Sequence, residues 1–187
     1  MAEARGDTRN RILDVALELF NDQGYDATSL REIAERLGVT KAALYYHFKS
    51  KADILLELHL RLHDLGDDLL AELDQLPDDQ VVAAWPGLVD RFIDAVTENR
   101  DLFLVHQRNQ RAFEQVINDE RHQQANQDIE ERFRRVLAND VIPLADRVRM
   151  ACSIGAVMVG LMGADEIFGD EAAQVVGLVR STVHELL

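Results

Sequence analysis

The side chains best suited to chemistry in this chain are lysines, tyrosines and a histidine gathered near its N-terminus. They lie in TSLREIAERLGVTKAALYYHFKSK, residues 28–51. Such side chains donate hydrogen bonds to phosphate oxygens and to base edges, so their concentration here suits contact with nucleic acid. An ordinary pair of core helices with a solvated face is the alternative, and residue types alone leave it open.

Two short helices joined by a glycine turn are predicted to position these side chains. Ser29 can cap the first helix, with a glutamate three residues later in capping-box spacing, and apolar residues recur at three- and four-residue steps over 30–37. Gly38 can take the positive φ of a sharp reversal, and Thr40 can cap the second helix. This pattern is typical of a helix-turn-helix, whose second helix enters the major groove of DNA.

Three stretches of this segment resemble the N-terminal domain of the TetR family of transcriptional regulators. They are SLREIA at 29–34, LGV at 37–39 and, most specifically, LYYHFKSK at 44–51. The resemblance covers about fifty N-terminal residues, including a helix predicted over 8–22. It implies an all-α fold with a helix-turn-helix DNA-binding domain at 1–51 and a ligand-binding and dimerisation domain at 52–187.

The resemblance also implies which side chains meet DNA. Ser29 and Arg31 would touch it from the first helix of the motif, and Lys51 would hold a phosphate. The remaining candidates would face bases or the nearby backbone: Thr40, Lys41, Ala42, Ala43, Tyr45, Tyr46 and His47, with Thr28 counted beside Ser29. Because the two alanines cannot donate hydrogen bonds, direct base readout would rest on few side chains.

The charge of the chain is distributed unevenly. Its net charge is −14, yet residues 1–51 carry eight Lys and Arg against eight Asp and Glu, so the whole excess lies in 52–187. An acidic body would repel DNA and keep the neutral, locally basic end on the duplex. A body that is acidic only for solubility is an equal alternative.

Composition predicts a globular, cytoplasmic protein, and the absence of catalytic motifs argues against an enzyme. The first residues are charged rather than leader-like, and no apolar run approaches the ~20 residues of a membrane span. No nucleotide loop or nucleophile motif appears, and no cofactor is expected. The single cysteine, Cys152, lies in an apolar stretch and is expected to be a buried, inert thiol.

Nine helices are predicted, at 8–22, 29–37, 41–48, 51–75, 80–98, 101–116, 120–138, 143–163 and 171–186. The eighth is apolar on all sides over MACSIGAVMVGLMGA and must be covered on all sides. The last carries a heptad-like seam, so the two can pair with their copies in a homodimer, as in TetR-like proteins; burial within one chain is the alternative. The interface candidates are Ala156, Gly160, Gly163, Ala172, Val176, Val179, Val183 and Leu186.

A small-molecule pocket among the C-terminal helices is a further implication of the resemblance. Large, adaptable side chains on the helices expected to surround it are the candidates: Trp85, Phe92, Phe103, His106, Phe113, Met158 and Met162. Each of them could equally be plain core. Ligand binding would shift the connecting helix so that the two recognition helices no longer fit the operator.

The sequence therefore predicts a ligand-responsive repressor that binds a palindromic operator in double-stranded DNA as a homodimer, released by an unidentified small molecule. The alternatives are an activator or a metal-responsive regulator of the same fold. His59 and His63 are spaced i, i+4 on one helix face and could supply two metal ligands. Two histidines are too few to establish such a site, and no metal is assigned.

Overall fold

The computed structural model describes residues 2–113, 119–162, 167–169 and 172–187, and of residues 2–6, 110, 126, 162, 172 and 173 only the backbone. Across these ranges the regular elements are helices and no strand occurs, which confirms the predicted all-α class. No helix of the described ranges has the length and apolarity that a bilayer crossing demands. The helices are α1 Ala2–Gln23, α2 Leu30–Leu37, α3 Lys41–His47, α4 Lys51–Leu73, α5 Asp78–Glu98, α6 Arg100–Arg108, α7 Gln110–Phe113, α8 Glu120–Leu137, α9 Leu144–Met162 and α10 Ala172–Leu186.

Two helices differ from the sequence prediction. The first begins at Ala2 rather than near residue 8, and the helix predicted over 101–116 is divided, as far as residue 113, into α6 and the single turn α7; 114–116 lie outside the described residues. Asn109 separates these two, and its side-chain amide donates to the carbonyl of Val105 at 2.8 Å. Short polar side chains that bond the preceding turn in this way compete with continued helix hydrogen bonding.

The chain divides into two compact units. The first consists of Met1–Leu62 and Asp101–Ala125, and the second of His63–Arg100 and Asn126–Leu187. This division does not follow the boundary expected at residue 51. The continuous helix α4 crosses the boundary, and a later segment returns to the first unit, where Asn21 donates to the Asp101 carbonyl at 3.0 Å.

The first unit is built around the apolar faces of α1 to α4. Ile12, Leu13 and Phe20 of α1 are at most 1% exposed. Phe20 packs edge-to-face on Tyr25 with ring centroids 5.2 Å apart, an arrangement that aromatic pairs favour. The helix-turn-helix is anchored to this core because its own inward side chains, Ile33 of α2 among them, are equally buried.

The second unit has its own core, in which α9 packs against α5 and α10. Trp85 of α5 is 2% exposed, and its indole N–H donates to Ser153 Oγ of α9 at 2.9 Å. The hydroxyl of Ser153 in turn donates to the Met150 carbonyl at 2.7 Å. A buried indole nitrogen that finds its acceptor on another helix fixes the register of the two helices.

Cys152 is exposed in this chain, which corrects the expected buried thiol. The inward face of α9 is taken by Met150, Ser153 and Val157, each at most 1% exposed. Successive residues of a helix are about 100° apart, so the neighbour of Ser153 points elsewhere. The apolar stretch around Cys152 therefore has one buried face and one exposed face.

Candidate nucleic-acid interface

Helix α2 begins with a complete capping box. Ser29 Oγ accepts from the backbone N–H of Glu32 at 3.2 Å, and the Glu32 carboxylate accepts from the backbone N–H of Ser29 at 2.7 Å. Hydrogen bonding of the Glu32 carboxylate with Ser29, first with its side chain and then with its backbone N–H, lowers the pKa of Glu32. Because the folded pKa is lowered, the stabilisation is present above the ordinary carboxyl pKa and is lost as the pH falls through the lowered value.

The turn between α2 and α3 depends on Gly38, whose φ is +73°. Its N–H donates to the Glu35 carbonyl at 3.2 Å, and the N–H of Val39 donates to the Ala34 carbonyl at 3.0 Å. Glycine adopts this left-handed conformation without the penalty that a Cβ brings. Thr40 then starts α3, with its Oγ1 accepting from the N–H of Ala43 at 3.2 Å.

Helix α3 presents an exposed polar and aromatic face. Leu44 and Phe48 are buried, at 0% and 3% exposed, and hold the helix on the core. Tyr45 and Tyr46 are 44% and 61% exposed. The other predicted base-facing residues, Thr40, Lys41, Ala42 and Ala43, are also exposed, while His47 is half-buried. The structure thus places the predicted recognition residues together on one accessible helix.

Contacts among these side chains organise the face. The Lys41 ammonium lies 5.5 Å from the centroid of the Tyr45 ring, within the range of a cation–π contact. The Tyr46 and His47 rings meet edge-to-face at 5.3 Å. Large, amphipathic rings held by their neighbours can contact DNA with little loss of side-chain entropy.

Arg31 on α2 is exposed and paired with Glu35, Nε to Oε1 at 2.6 Å, one turn further along the helix. The side-chain hydrogen bond and the charge of Glu35 raise the pKa of Arg31. An exposed pair of this kind contributes little to stability. Arg31 can therefore exchange Glu35 for a phosphate or a base at small cost.

Lys51 has an internal role in addition to the predicted phosphate contact. Its ammonium donates to the carbonyls of Tyr25 at 2.5 Å and Thr28 at 2.9 Å, and it lies 4.0 Å from the centroid of the Tyr25 ring. Burial lowers the pKa of Lys51, while the charges of Asp26 and Glu32 oppose that change. Lys51 therefore ties the start of α4 to the turn between α1 and α2.

Thr28 was predicted to contact DNA, but the structure places it away from the exposed surface. Its side chain is 2% exposed, and its hydroxyl donates to the Gly24 carbonyl at 2.8 Å. A threonine whose hydroxyl is buried against its own backbone cannot reach DNA in this conformation. Thr28 closes the turn before α2, and the exposed cap at this position is Ser29.

The pocket candidates fall in both units. Phe103, His106 and Phe113 belong to the first, where His106 and Phe113 are in contact with ring centroids 4.7 Å apart. Trp85, Phe92 and Met158 belong to the second: Trp85 is core, Phe92 packs against the core, and Met158 is 37% exposed. The side chain of Met162 lies outside the described residues.

The interface candidates are largely engaged within the chain. Ala156, Val176 and Val179 pack against the core of the second unit, and Val183 is part of it at 1% exposed. A Cβ on Gly160 would lie 2.5 Å from Val179 Cγ2, so Gly160 lets α9 and α10 approach closely. Leu186 is 38% exposed; Gly163 and the side chain of Ala172 lie outside the described residues.

Exposed apolar side chains outside the predicted interface set also occur on α9 and α10. Val148 and Val159 of α9 are 52% and 68% exposed, and Leu178 of α10 is 63% exposed. Val148, Cys152, Gly155 and Val159 follow each other at helical steps of four, three and four, and all are exposed. The all-round apolarity of α9 was the available signal, but periodicity alone could not say which face was covered.

The chain matches the family described as "Bacterial regulatory proteins, tetR family" over residues 12–58. It is 40% identical to the HTH-type transcriptional regulator AcrR of Shigella flexneri over 100 residues, which are 53% of this chain and 46% of that protein. It is 48% identical over 46 residues to the biofilm operon icaADBC HTH-type negative transcriptional regulator IcaR of Staphylococcus aureus (strain Newman), 25% of each chain. The match thus spans about half the length of the first relative and a quarter of the second.

The fold is similar to the crystal structure of a transcriptional regulator (TerR/AcrR family) from Aquifex aeolicus VF5. The TM-score is 0.67 over 96% of this chain and 99% of that one, at 21% identity. At this identity the similarity concerns the fold. It covers both units, whereas the sequence matches concentrate on the segment that contains the exposed face of α3.

Proposed function

Because the chain belongs to the TetR family of bacterial regulatory proteins, we propose that it is a cytoplasmic transcriptional repressor that binds a palindromic operator as a homodimer and is released by a small molecule. Membership of this family of DNA-binding regulators agrees with the prediction that the chain is not an enzyme. Repression is favoured over activation because the relative IcaR is a negative transcriptional regulator.

The observation that carries the proposal is the exposed face of α3. Tyr45 and Tyr46 stand out from a helix whose inner side chains are fully buried, directly after a glycine turn and a threonine cap. Exposed tyrosines have no packing reason to be clustered, but they donate well to phosphate oxygens. With Lys41 and Arg31 on the same motif, the face offers both cations and neutral donors.

Selection of random DNA duplexes at two salt concentrations tests this function. We expect a palindromic or near-palindromic site whose affinity falls steeply with salt, because each neutralised phosphate releases counterions. Tyr46→Ala should weaken binding by roughly tenfold or more, since one charge-assisted or well-placed hydrogen bond contributes about 1–3 kcal/mol. Ala83→Ser, on the exposed side of α5, is the control that should bind like the wild type.

Enrichment of no sequence, or equal affinity of the Tyr46 variant and the control, would argue against a regulator that works through α3. A circular-dichroism melt of each variant separates lost DNA contacts from lost structure. Binding that changes little with salt would also contradict the proposal, because phosphate contacts dominate protein–DNA affinity.

Homodimerisation is proposed through the exposed apolar face of α9 and α10. Val148, Val159 and Leu178 are each more than half exposed in the single chain. Contiguous exposed apolar side chains favour burial against another surface, and a two-fold interface pairs each helix with its copy. Two copies of two helices would form a four-helix interface. Palindromic DNA then matches the two-fold symmetry of the protein.

The effector is proposed to act by binding the DNA-incompetent conformation more tightly than the competent one, with a coupling of about 1–3 kcal/mol. In the first unit, Phe103 and His106 are the half-buried pocket candidates, whereas in the second Phe92 is half-buried and Met158 is 37% exposed. Trp85 is the only tryptophan of the chain. Its fluorescence can therefore report on binding when the protein is titrated with each metabolite of a panel. A bound ligand far from all these side chains would contradict the pocket.

A further inference from the structure

Three histidines on three different helices meet in the first unit. His59 of α4 is 8% exposed, and its ring stacks on that of His106 of α6 with centroids 4.8 Å apart and planes 13° apart. The ring of His122 of α8 lies 4.7 Å from that of His59. The ring of Phe113 is also in contact with that of His59, with centroids 4.9 Å apart. His106 and Phe113 are pocket candidates of the repressor proposed above, but His59 and His122 have no role in it.

The spacing of the ligand atoms is close to that of a metal site. The nearest nitrogen ligand atoms of His59 and His122 lie within 4.8 Å of each other. His63 follows His59 by one turn of the same helix, so the two share a face. Nitrogen ligands of a tetrahedral zinc, bound at 2.0–2.1 Å, are about 3.3 Å apart. Side-chain rotation alone can supply the remaining ~1.5 Å of approach.

The chemistry of the surroundings selects the class of ion. The neighbouring carboxylate of Glu57 is paired with Arg9 at 2.6 Å and with Arg121 at 3.4 Å. Asp119 accepts from the backbone and side chain of the same Arg121. Because these carboxylates are engaged by arginines, the imidazole nitrogens are the candidate metal ligands. They suit Zn²⁺, Ni²⁺, Co²⁺ or Cu²⁺, whereas Mg²⁺ and Ca²⁺ require oxygen ligands.

The pairs of Glu57 also position the candidate ligands. Arg121 precedes His122 in the first turn of α8, and its guanidinium reaches Glu57, which lies two residues before His59 on α4. Arg9 fixes the same carboxylate from α1. The two ligand-bearing helices are therefore held together by an ion-pair network that does not use the histidines.

We propose that His59, His63 and His122 bind one transition-metal ion of the zinc class, with water as a fourth ligand. The ion would cross-link α4 to α8 and would be a second effector class, beyond the small molecule proposed above. Binding of the ion does not depend on the DNA-binding proposal, because no DNA-facing side chain of α2 or α3 is among the ligands.

The test uses the full chain without a histidine tag, stripped with chelator and titrated with Zn²⁺ by calorimetry and with Co²⁺ by absorbance. We expect one equivalent to bind, a higher Tm with Zn²⁺, and the visible bands of four-coordinate cobalt. His122→Gln should weaken binding at least tenfold, since it removes one of three protein ligands. The half-buried position of His122 allows this substitution without opening the core.

Two further variants keep the test decisive. His63→Gln should weaken binding similarly, whereas His184→Gln, in the second unit, should bind as the wild type does. Absence of metal binding, several weak equivalents, or equal binding by the His122 and His184 variants would overturn the proposal. Without metal, the His122 variant should bind DNA with the same affinity as the wild type. If neither protein binds DNA, with or without metal, the result contradicts the regulator proposal and not the metal site.

Discussion

Lys51 shows how one side chain can belong both to the fold and to the proposed DNA surface. The sequence placed it in the first turn of a helix, where a cation and backbone N–H groups can hold a phosphate. The structure adds two short hydrogen bonds to carbonyls of the preceding turn. The ammonium cannot keep both of these hydrogen bonds and also use all of its donors on a phosphate.

Lys51→Ala is therefore expected to reduce stability as well as DNA affinity. Removing the ammonium leaves partly buried carbonyls without their donor, which costs about 1–3 kcal/mol of unfolding free energy. Urea denaturation measures this, with Lys49→Ala as the matched control because Lys49 is exposed two residues earlier. Equal stability of the two variants would show that the carbonyl contacts contribute nothing.

The pair of Arg31 and Glu35 differs from Lys51, because its contact contributes little to the stability of the fold. Their hydrogen bond is short, yet both side chains are more than half exposed. An exposed pair is screened by water and contributes little net stability. Breaking this contact costs little, so Arg31 can exchange Glu35 for the DNA partner proposed for it.

At the scale of elements, the contact between α9 and α10 depends on one glycine. Val179 packs so closely against Gly160 that there is room for a hydrogen atom but not for a Cβ, and the two helices approach each other there. This is an interaction within one chain. Small residues on an apolar helix were interpreted as a sign of a dimer interface, but they serve close packing equally well inside a subunit.

Gly160→Ala should destabilise the second unit by about 1–3 kcal/mol, because an added methyl forces the packed helices apart. Val179→Ala removes the clashing methyl, so the double variant should lose less stability than the sum of the single variants. Gly87→Ala on α5 is the control, since its Cβ would meet only the Arg91 guanidinium at 3.7 Å. That change should be neutral or stabilising.

Thermal unfolding of the four variants and the wild type at one protein concentration measures these differences, because the stability of a dimer depends on concentration. Strict additivity of Gly160→Ala and Val179→Ala would contradict the packing described. So would a loss as large for Gly87→Ala as for Gly160→Ala.

At the scale of the whole molecule, the excess negative charge and the exposed apolar face both lie beyond residue 51. The net charge of −14 arises entirely in 52–187. An acidic body disfavours contact with DNA except through the N-terminal helices. An acidic surface also discourages random association, which favours the proposed pairing of Val148, Val159 and Leu178 with their copies over non-specific contacts.

Leu178→Glu should convert the proposed dimer into a monomer. The carboxylate would be buried against its two-fold copy, where charge without a partner is strongly unfavourable. Size-exclusion chromatography with light scattering measures the mass at micromolar concentration, and Ala83→Glu on α5 controls for the added charge. A wild-type monomer, or a Leu178→Glu dimer as tight as the wild type, would exclude this interface.

Local interactions explain why the helix-turn-helix could be predicted from the sequence. The Ser29 cap, the left-handed Gly38 and the Thr40 cap all involve partners within five residues, so short-range spacing is enough to predict them. The side chains exposed on α3 follow from the same periodicity, because Leu44 and Phe48 define its buried face. Those predictions needed no knowledge of the rest of the chain.

Contacts between distant residues could only be decided by the tertiary structure. Thr28 and Cys152 were misplaced because burial depends on which helix packs where, and periodicity on an all-apolar helix carries no direction. The meeting of His59, His106 and His122 joins residues up to 63 positions apart, from His59 to His122, which no spacing rule connects. The sequence alone determined the fold class and the helix-turn-helix segment proposed to face DNA, whereas long-range packing decided which side chains remain available for partners.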